Sequence, residues 1–182
     1  MAERPILFSA PMIRALRAGT KTQTRRVVKD TGLYAIDAAI HGPEVATREL
    51  QALASRCPYG QPGHKLWVRE THMDLGACYL YRADPGAETE RALVAPGQPW
   101  KPAIHMPRTA SRITLEVTEV RVERLQSISR GDAMAEGCPF ANMAAGPDPR
   151  DWYRDLWNEI NGPGAWGLSP WVWVVAFKVV KP

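Results

Sequence analysis

An α+β fold, built as a single domain around a small, mixed or antiparallel β-barrel with short helices and loop insertions, is predicted by three features of the sequence. The chain has 182 residues, of which 45% are hydrophobic and 23% are charged, as expected for one globular domain. Residues 112–124 alternate apolar and polar side chains and change parity near Thr118, which indicates the bulge of a strand that turns a barrel corner. The apolar, β-branched run at 170–180 is typical of a central strand.

The first 71 residues predict two helices and two extended segments. Ser9 is a candidate N-cap and Gly19 follows the end of the first helix, which delivers a tight turn into an extended segment at 26–28. A second helix is predicted between Glu44 and Arg56, inside an insertion at about 30–62. The strand at 65–71 alternates, so one face is core and the other can meet a ligand.

The rest of the chain predicts four more extended segments. A second insertion, at about 84–110, separates two of them. In chain order the predicted elements are a short strand (78–83), a surface loop rich in Pro, Gly and Ala (84–102), a brief extended piece (103–107), the long strand (112–124), a short helix capped by Ser129 and ended by Gly137, a helix at 148–161 whose aromatic residues are predicted to be core, and the closing strand (170–180).

Positive charge is concentrated at the start of the chain. Residues 1–29 carry seven basic side chains and one acidic one, a local charge of +6, whereas the whole chain carries +4 and the remainder is therefore −2. A local cationic surface on a nearly neutral body favours a focused anion site, such as one for phosphate, over a polycation that coats nucleic acid. A solvated basic helix face is the alternative interpretation.

Several classes of protein are not indicated. No run approaches the roughly 18 apolar residues that a membrane span needs, and the first residues do not resemble a secretory signal, so we expect a cytoplasmic protein without a membrane partner. The three cysteines, Cys57, Cys78 and Cys138, are an odd number at wide spacing, which argues against a disulfide framework. No Cys or His pair has zinc-binding spacing. The sequence indicates no metal, no cofactor and no obligate protein partner.

The turn Gly-Thr-Lys-Thr-Gln-Thr-Arg-Arg at 19–26 resembles the ASCH domain family, a branch of the PUA-like β-barrels. Four further segments resemble family elements in the right order: 63–70, 113–125, 129–137 with its Ala-Glu-Gly end, and 171–177. The two insertions lengthen the chain and resemble the longer members that bacteriophages and prophages carry.

The resemblance implies a pocket between the Lys21 turn and the barrel that is suited to a pyrimidine-like base or RNA. In compact bacterial members the pocket is associated with metal-independent amide hydrolysis of N4-acetylcytidine by a lysine, a threonine and a glutamate. The motifs place these catalytic roles on Lys21, Thr24 and Glu136. The candidate substrate-binding residues beside them are Arg25, Arg26, Trp67, Arg69 and Glu70.

The chemistry of amide hydrolysis leaves two mechanisms open at these residues. Such a reaction needs a nucleophile, a proton acceptor and stabilisation of the oxyanion. Thr24 offers a hydroxyl, and Lys21 can act as the base if burial and the adjacent arginines lower its pKa. In the second mechanism Glu136 activates a water or holds the cytosine amino group.

A second class of function also fits the sequence. A non-catalytic RNA- or nucleotide-binding module would use the same pocket for a base and the arginines for phosphate, with Arg26 pairing with Glu70 to fix the turn. A ribonuclease is compatible with the same residues, and a related fold can carry a changed ligand. Salt dependence separates binding of a polyanion from hydrolysis of a nucleoside.

Overall fold

The computed structural model describes residues 3–29, 38–141, 143 and 146–181. Its strands are β1 (Glu3–Leu7), β2 (Gln23–Val27), β3 (Lys65–Arg69), β4 (His72–Asp74), β5 (Tyr79–Tyr81), β6 (Thr114–Arg124) and β7 (Trp171–Lys181). Its α-helices are α1 (Ala10–Arg17), α2 (Ala38–His41), α3 (Pro43–Ser55), α4 (Ala87–Val94), α5 (Arg130–Ala135) and α6 (Pro149–Asn161). The predicted α+β class is confirmed.

Five strands form one mixed sheet in the order β1-β3-β6-β7-β2. The β1–β3 pair is parallel and the other three pairs are antiparallel. The closing strand β7 lies inside the sheet, as its apolar run predicted. The register of β6 against β7 shifts between Val117 and Glu119, where the change of parity in the sequence predicted a bulge.

The sheet is open between its edge strands β1 and β2, so the described strands do not close the predicted barrel. A side chain joins these edges in place of a backbone ladder: Nη2 of Arg26 on β2 donates a hydrogen bond of 2.9 Å to the backbone oxygen of Leu7 on β1. A guanidinium group needs more room than a direct backbone pairing, in which strands lie about 4.8 Å apart. The open edge leaves space for a cavity beside β2.

Helices cover both faces of the sheet, and each face has its own hydrophobic cluster. On one face, Ile13 and Leu16 of α1 pack with Val175 of β7. On the other face, Tyr153 and Trp157 of α6 pack with alternate residues of β7. The alternation along β7 therefore holds a helical layer on each side of the sheet.

Two predicted segments differ from the structure. The segment 84–102 was predicted to be a loop, but it contains α4, which begins after Gly86 and has Glu88 and Glu90 in its first turn. Glu, Arg and Ala favour a helix, and acidic residues stabilise its first turn. The flanking Pro and Gly residues indicated a loop, and the helix-forming run between them was therefore missed. The extended piece predicted at 103–107 is a 3₁₀ turn at Ala103–His105.

The structure also contains two strands, β1 and β4, that were not predicted. Part of the first insertion, residues 30–37, lies outside the described residues.

Of the helices that the structure describes, none is both long and apolar enough to cross a bilayer. Within the same residues no group of three or more His, Cys, Asp or Glu side chains could hold a metal ion, and the three cysteines are free thiols.

Candidate functional site

A cavity of about 360 Å³ opens beside β2, between the start of α1 and the helix α6. Its lining has a polar wall and a largely apolar wall. The polar wall consists of Lys21, Thr24, Arg25, Arg26 and Glu136, and the apolar wall includes the α6 residues Tyr153, Leu156, Trp157 and Ile160. A pocket of this size, with a few convergent polar groups, has the character of a small-molecule site.

The turn that carries Lys21 is fixed by backbone hydrogen bonds to three elements. Gly19 ends α1 with a φ of 74°, a conformation that glycine adopts without strain. The amide of Lys21 donates to Ala15 of α1 over 3.2 Å, and the amide of Thr22 donates to Ala135 of α5 over 2.8 Å. The backbone oxygen of Thr22 accepts from Phe177 of β7 over 2.8 Å. These backbone hydrogen bonds fix the position of Lys21.

A glycine at the end of α5 brings Glu136 to this turn. Gly137 has a φ of 99°, and a Cβ atom built there would lie 2.9 Å from Cβ of Ala15 and 3.3 Å from Cβ of Lys21. The first distance is closer than packed carbon atoms tolerate. The Ala-Glu-Gly end of α5 is thus the feature that allows the helix to approach Lys21.

Lys21 is a buried cation whose ammonium group is fully hydrogen-bonded. Its side chain is 2% exposed. Nζ donates to Oε2 of Glu136 over 2.8 Å, to the backbone oxygen of Glu136 over 3.0 Å and to the backbone oxygen of Gln23 over 2.8 Å. These bonds use all three ammonium protons. Burial lowers the pKa of Lys21, and the negative charge of Glu136 opposes that effect.

Glu136 is a buried carboxylate shared by two cations. It is 3% exposed, and its Oε1 accepts a hydrogen bond of 3.0 Å from Nη1 of Arg25 while Oε2 accepts from Lys21. Glu136 is the C-cap of α5, where the helix dipole disfavours a carboxylate. The dipole effect is typically below about 1 kcal/mol, so two buried charge-assisted hydrogen bonds outweigh it.

Arg25 connects the cavity to a wider ionic network. Its Nη2 donates to Oε1 of Glu123 over 2.6 Å and lies 3.5 Å from Oδ2 of Asp132. Arg121 in turn binds Glu123 and Asp132 at 3.2 and 2.8 Å. Asp132 is fixed by the capping box that it forms with Ser129 at the start of α5. The network holds the Arg25 guanidinium against Glu136.

Thr24 and Arg26 form a separate pair at the same cavity. Thr24 is 1% exposed, and its Oγ1 accepts a hydrogen bond of 2.7 Å from Nη1 of Arg26. Arg26 has no carboxylate partner within the described part of the chain, so its charge is available to a ligand. Thr24 and Lys21 line the cavity together, but they make no hydrogen bond to each other in the residues that the structure describes.

The structure brings five of the eight predicted site residues to one cavity and places three elsewhere. Glu70 is buried at the end of β3, where Arg112 binds both of its carboxylate oxygens at 2.8 and 3.0 Å. The suggested pairing of Arg26 with Glu70 is therefore wrong. Glu70 instead anchors the Arg112 side chain, which also binds Asp84 at 2.8 Å.

Trp67 and Arg69 lie away from the cavity, on the half-exposed face of β3. The Arg69 guanidinium lies 5.1 Å from the Trp67 ring centroid, and that of Arg108 lies 5.9 Å from it. Nε of Arg69 donates to the backbone oxygen of Met106 over 3.1 Å. The alternation of β3 correctly indicated a face separate from the core, but the cavity opens beside β2.

The apolar wall on α6 was not predicted as part of a site. Tyr153 and Trp157 were interpreted as core residues, and they are buried at 4% and 5% exposure, yet both also line the cavity. Burial raises the pKa of Tyr153 well above 10, and the negative charge of Glu136 adds to that increase. The polar tips of these aromatic residues were the available signal.

Comparison with known proteins finds a similarity to a solved structure. No family model matches the sequence, and no curated protein matches it. The chain is similar to a crystal structure described as an ASCH domain from Lactobacillus crispatus JV V101, with 13% sequence identity and a TM-score of 0.46. The similarity covers 100% of this chain and 81% of that one. The description names the family that the sequence motifs resemble.

Proposed function

We propose that this protein is a metal-independent amidohydrolase that acts on an N4-acylated cytosine nucleoside, such as N4-acetylcytidine, or on a related modified base. The observation that carries the proposal is the buried cluster of Lys21, Glu136 and Arg25 at the wall of a cavity that also holds Thr24. Buried ionisable groups that converge on a cleft are typical of sites that move protons. The motifs that resemble the ASCH family support the choice of substrate.

The two walls of the cavity suit the two parts of such a substrate. The side chains of Tyr153, Leu156 and Trp157 offer apolar and aromatic surface to a base. The polar wall meets the acylamino group, which carries the bond to be cleaved. Arg26 contributes a cation without a carboxylate partner among the described residues, so the site favours a neutral or anionic ligand over a cation.

Deprotonation of Lys21 prepares the base. Burial lowers the Lys21 pKa, and the contact of 2.8 Å between Nζ and Oε2 of Glu136 positions the neutral amine. The amine then takes the proton of the nucleophile as the nucleophile attacks the amide carbon. The proton is delivered to the departing cytosine amino group, and the products are the carboxylic acid and the unmodified nucleoside.

Two nucleophiles are compatible with the cavity. The Thr24 hydroxyl accepts a hydrogen bond from Arg26, which leaves its own proton free and places a positive charge beside a developing alkoxide. In that case an acyl-threonine forms and water hydrolyses it. Direct attack by water gives the same products without a covalent intermediate. The mass of the intact protein, quenched during turnover, distinguishes the two routes.

Hydrolysis of N4-acetylcytidine, followed by loss of the acetylated-cytosine absorbance, tests the proposal. We expect turnover by the wild-type protein and a loss of about 10²-fold or more in Lys21→Ala, because the proton acceptor is removed. Lys29→Ala is the matched control, since Lys29 is exposed and does not line the cavity. Absence of turnover at high enzyme concentration would contradict the proposal.

A second candidate is an RNA- or nucleotide-binding module without catalysis, or a ribonuclease with the same pocket. The observation in its favour is the half-exposed group of Trp67 with the guanidinium groups of Arg69 and Arg108, which offers stacking and phosphate contacts next to β1. Binding of a labelled RNA should then weaken steeply with salt. Hydrolysis of an uncharged nucleoside should change little over the same range.

A further inference from the structure

Tyr153 occupies a place in the cavity that the proposed catalytic residues do not explain. It lies on α6 and lines the same cavity as Lys21 and Thr24. The residue belongs to a segment outside the motifs that resemble the ASCH family. The resemblance therefore assigns no role to Tyr153, and the residue's surroundings indicate its role.

The hydroxyl of Tyr153 makes no hydrogen bond to any residue that the structure describes, although the residue is only 4% exposed. Among the described residues, the side-chain atoms that are fully buried and lack a hydrogen-bond partner are Nε1 of Trp157 and Nε of Arg25. The Tyr153 hydroxyl is not one of them, so it is open to the cavity that the residue lines. It is therefore an unpaired polar group that a ligand in the cavity can reach.

The Tyr153 ring is held in place by aromatic and cationic neighbours. The ring centroids of Trp157, Trp152 and Trp166 each lie 6.2 Å from that of Tyr153. On its other side the Arg25 guanidinium lies 5.8 Å from the Tyr153 centroid. Since the ring cannot move far, the hydroxyl is fixed relative to the cluster of Arg25 and Glu136.

We propose that Tyr153 is a substrate-contacting residue whose hydroxyl donates a hydrogen bond to a carbonyl oxygen of the bound ligand, either that of the pyrimidine ring or that of the acyl group. This inference rests on the proposed function, because it assumes that the cavity holds an acylated cytosine. A carbonyl oxygen supplies an acceptor for this hydroxyl. A ligand without a carbonyl group at this position leaves the hydroxyl without a partner.

The role follows from the chemistry of the phenol at this position. Because burial raises its pKa well above 10, Tyr153 stays protonated and neutral at the pH values at which an enzyme works. It therefore acts as a constant donor and does not exchange protons with substrate. A neutral donor in a site with little water stabilises negative charge that develops on a carbonyl oxygen.

The substitution Tyr153→Phe removes the hydroxyl and retains the ring. We expect kcat/KM for N4-acetylcytidine to fall by about 10-fold if the acceptor is the ring oxygen, and by about 10²-fold or more if it is the acyl oxygen on which charge develops. Binding of cytidine, measured by calorimetry, identifies the acceptor, because cytidine retains the ring carbonyl and lacks the acyl one. Weaker binding of cytidine indicates the ring oxygen, and unchanged binding of cytidine together with slower hydrolysis indicates the acyl oxygen.

Thermal unfolding separates this role from a structural one. Loss of a hydroxyl that has no protein partner should leave the melting temperature of Tyr153→Phe unchanged or higher. Tyr81→Phe is the matched control, because the Tyr81 hydroxyl donates to the backbone oxygen of Ala110 over 2.8 Å, away from the cavity. We expect the control to lower the melting temperature and to leave hydrolysis unchanged.

The outcomes distinguish this inference from the proposed function. Wild-type turnover together with unchanged turnover and unchanged cytidine binding in Tyr153→Phe would overturn the inference and retain the function. A wild-type protein that neither binds cytidine nor hydrolyses N4-acetylcytidine would overturn both. A lower melting temperature together with unchanged hydrolysis would show that the hydroxyl is structural.

Discussion

At the scale of single residues, the site depends on one carboxylate that serves two buried cations. Glu136 binds Lys21 and Arg25 through different oxygens, and Arg25 is balanced further by Glu123. Removing one partner of a buried charge pair typically costs about 3–5 kcal/mol, because the other charge is left uncompensated. The buried charge pair of Lys21 and Glu136 lies beside a cavity, where it is well placed to move a proton.

The pH dependence of hydrolysis reports on Lys21. Only the neutral amine can accept a proton, and burial lowers the Lys21 pKa below its ordinary value of 10.5. We therefore expect kcat/KM to rise with pH and to reach half of its plateau below pH 10.5. Tyr153 does not produce this inflection, since its pKa is raised well above 10. A profile that is flat, or falls, between about pH 6 and 10 would contradict the role of Lys21.

The sequence indicated some residues of the site more directly than others. Lys21, Thr24, Arg25 and Arg26 are consecutive or nearly so, and a single turn and strand bring them to the cavity. Glu136 is far away in sequence, and only the resemblance of the Ala-Glu-Gly segment placed it with Lys21. The contact between Glu136 and Lys21 depends on the close approach of α5 at Gly137, and the sequence alone does not show that packing.

At the scale of elements, α5 and the Lys21 turn form one unit. The capping box of Ser129 and Asp132 fixes the start of α5, and the bridge between Lys21 and Glu136 fixes its end. Asp132 also binds Arg121, which connects α5 to β6. The helix has only six residues, so these contacts rather than its own propensity hold it in place.

Gly137→Ala tests the close approach between α5 and the turn. The new Cβ atom would meet Ala15 at 2.9 Å, and the φ of 99° is strained for any other residue. We expect a loss of about 1–3 kcal/mol in the free energy of unfolding, together with slower hydrolysis because Lys21 is displaced. Gly42→Ala is the control, with a similar φ of 82° and no atom within 4 Å of the added Cβ. Equal effects of the two substitutions on hydrolysis would contradict this account.

The accuracy of the predicted elements follows from the strength of their local signals. Helix α6 and strand β7 have long periodic apolar patterns, and both were located to within a residue or two. Helix α4 was missed because its helix-forming residues are flanked by turn formers. Strand β1 gave no signal, because its register against β3 is set by a partner far away in sequence. Non-local pairing of this kind cannot be inferred from a short window.

At the scale of the whole molecule, the open edge between β1 and β2 determines where the cavity lies. The sequence predicted a closed barrel, whereas the described strands β1 and β2 are not paired with each other and the Arg26 side chain bonds across the two edges. The organisation of residues 1–182 as one domain remains a prediction, as do its insertions at about 30–62 and 84–110. The polar wall and the apolar wall on α6 line one cavity.

A substitution of Glu70 tests whether the stability of the molecule can change without a change in the chemistry of the site. Glu70→Gln leaves the half-buried Arg112 with a weakened partner, and we expect the free energy of unfolding to fall by about 1–3 kcal/mol. Hydrolysis by the folded fraction should be unchanged, because Glu70 does not line the cavity. Urea denaturation and the absorbance assay measure the two quantities. Slower hydrolysis with unchanged stability would restore Glu70 to the substrate-binding group.

A double-mutant cycle on the hydrolysis of N4-acetylcytidine tests the central claim most directly. Lys21→Met, Glu136→Gln and the double variant are compared with the wild-type protein, each confirmed as folded by circular dichroism. If Lys21 and Glu136 act as one unit, each single substitution should reduce kcat by about 10²-fold or more, and the double variant should be no slower than the slower single one. Losses that multiply in the double variant, or a wild-type protein without turnover, would contradict the account.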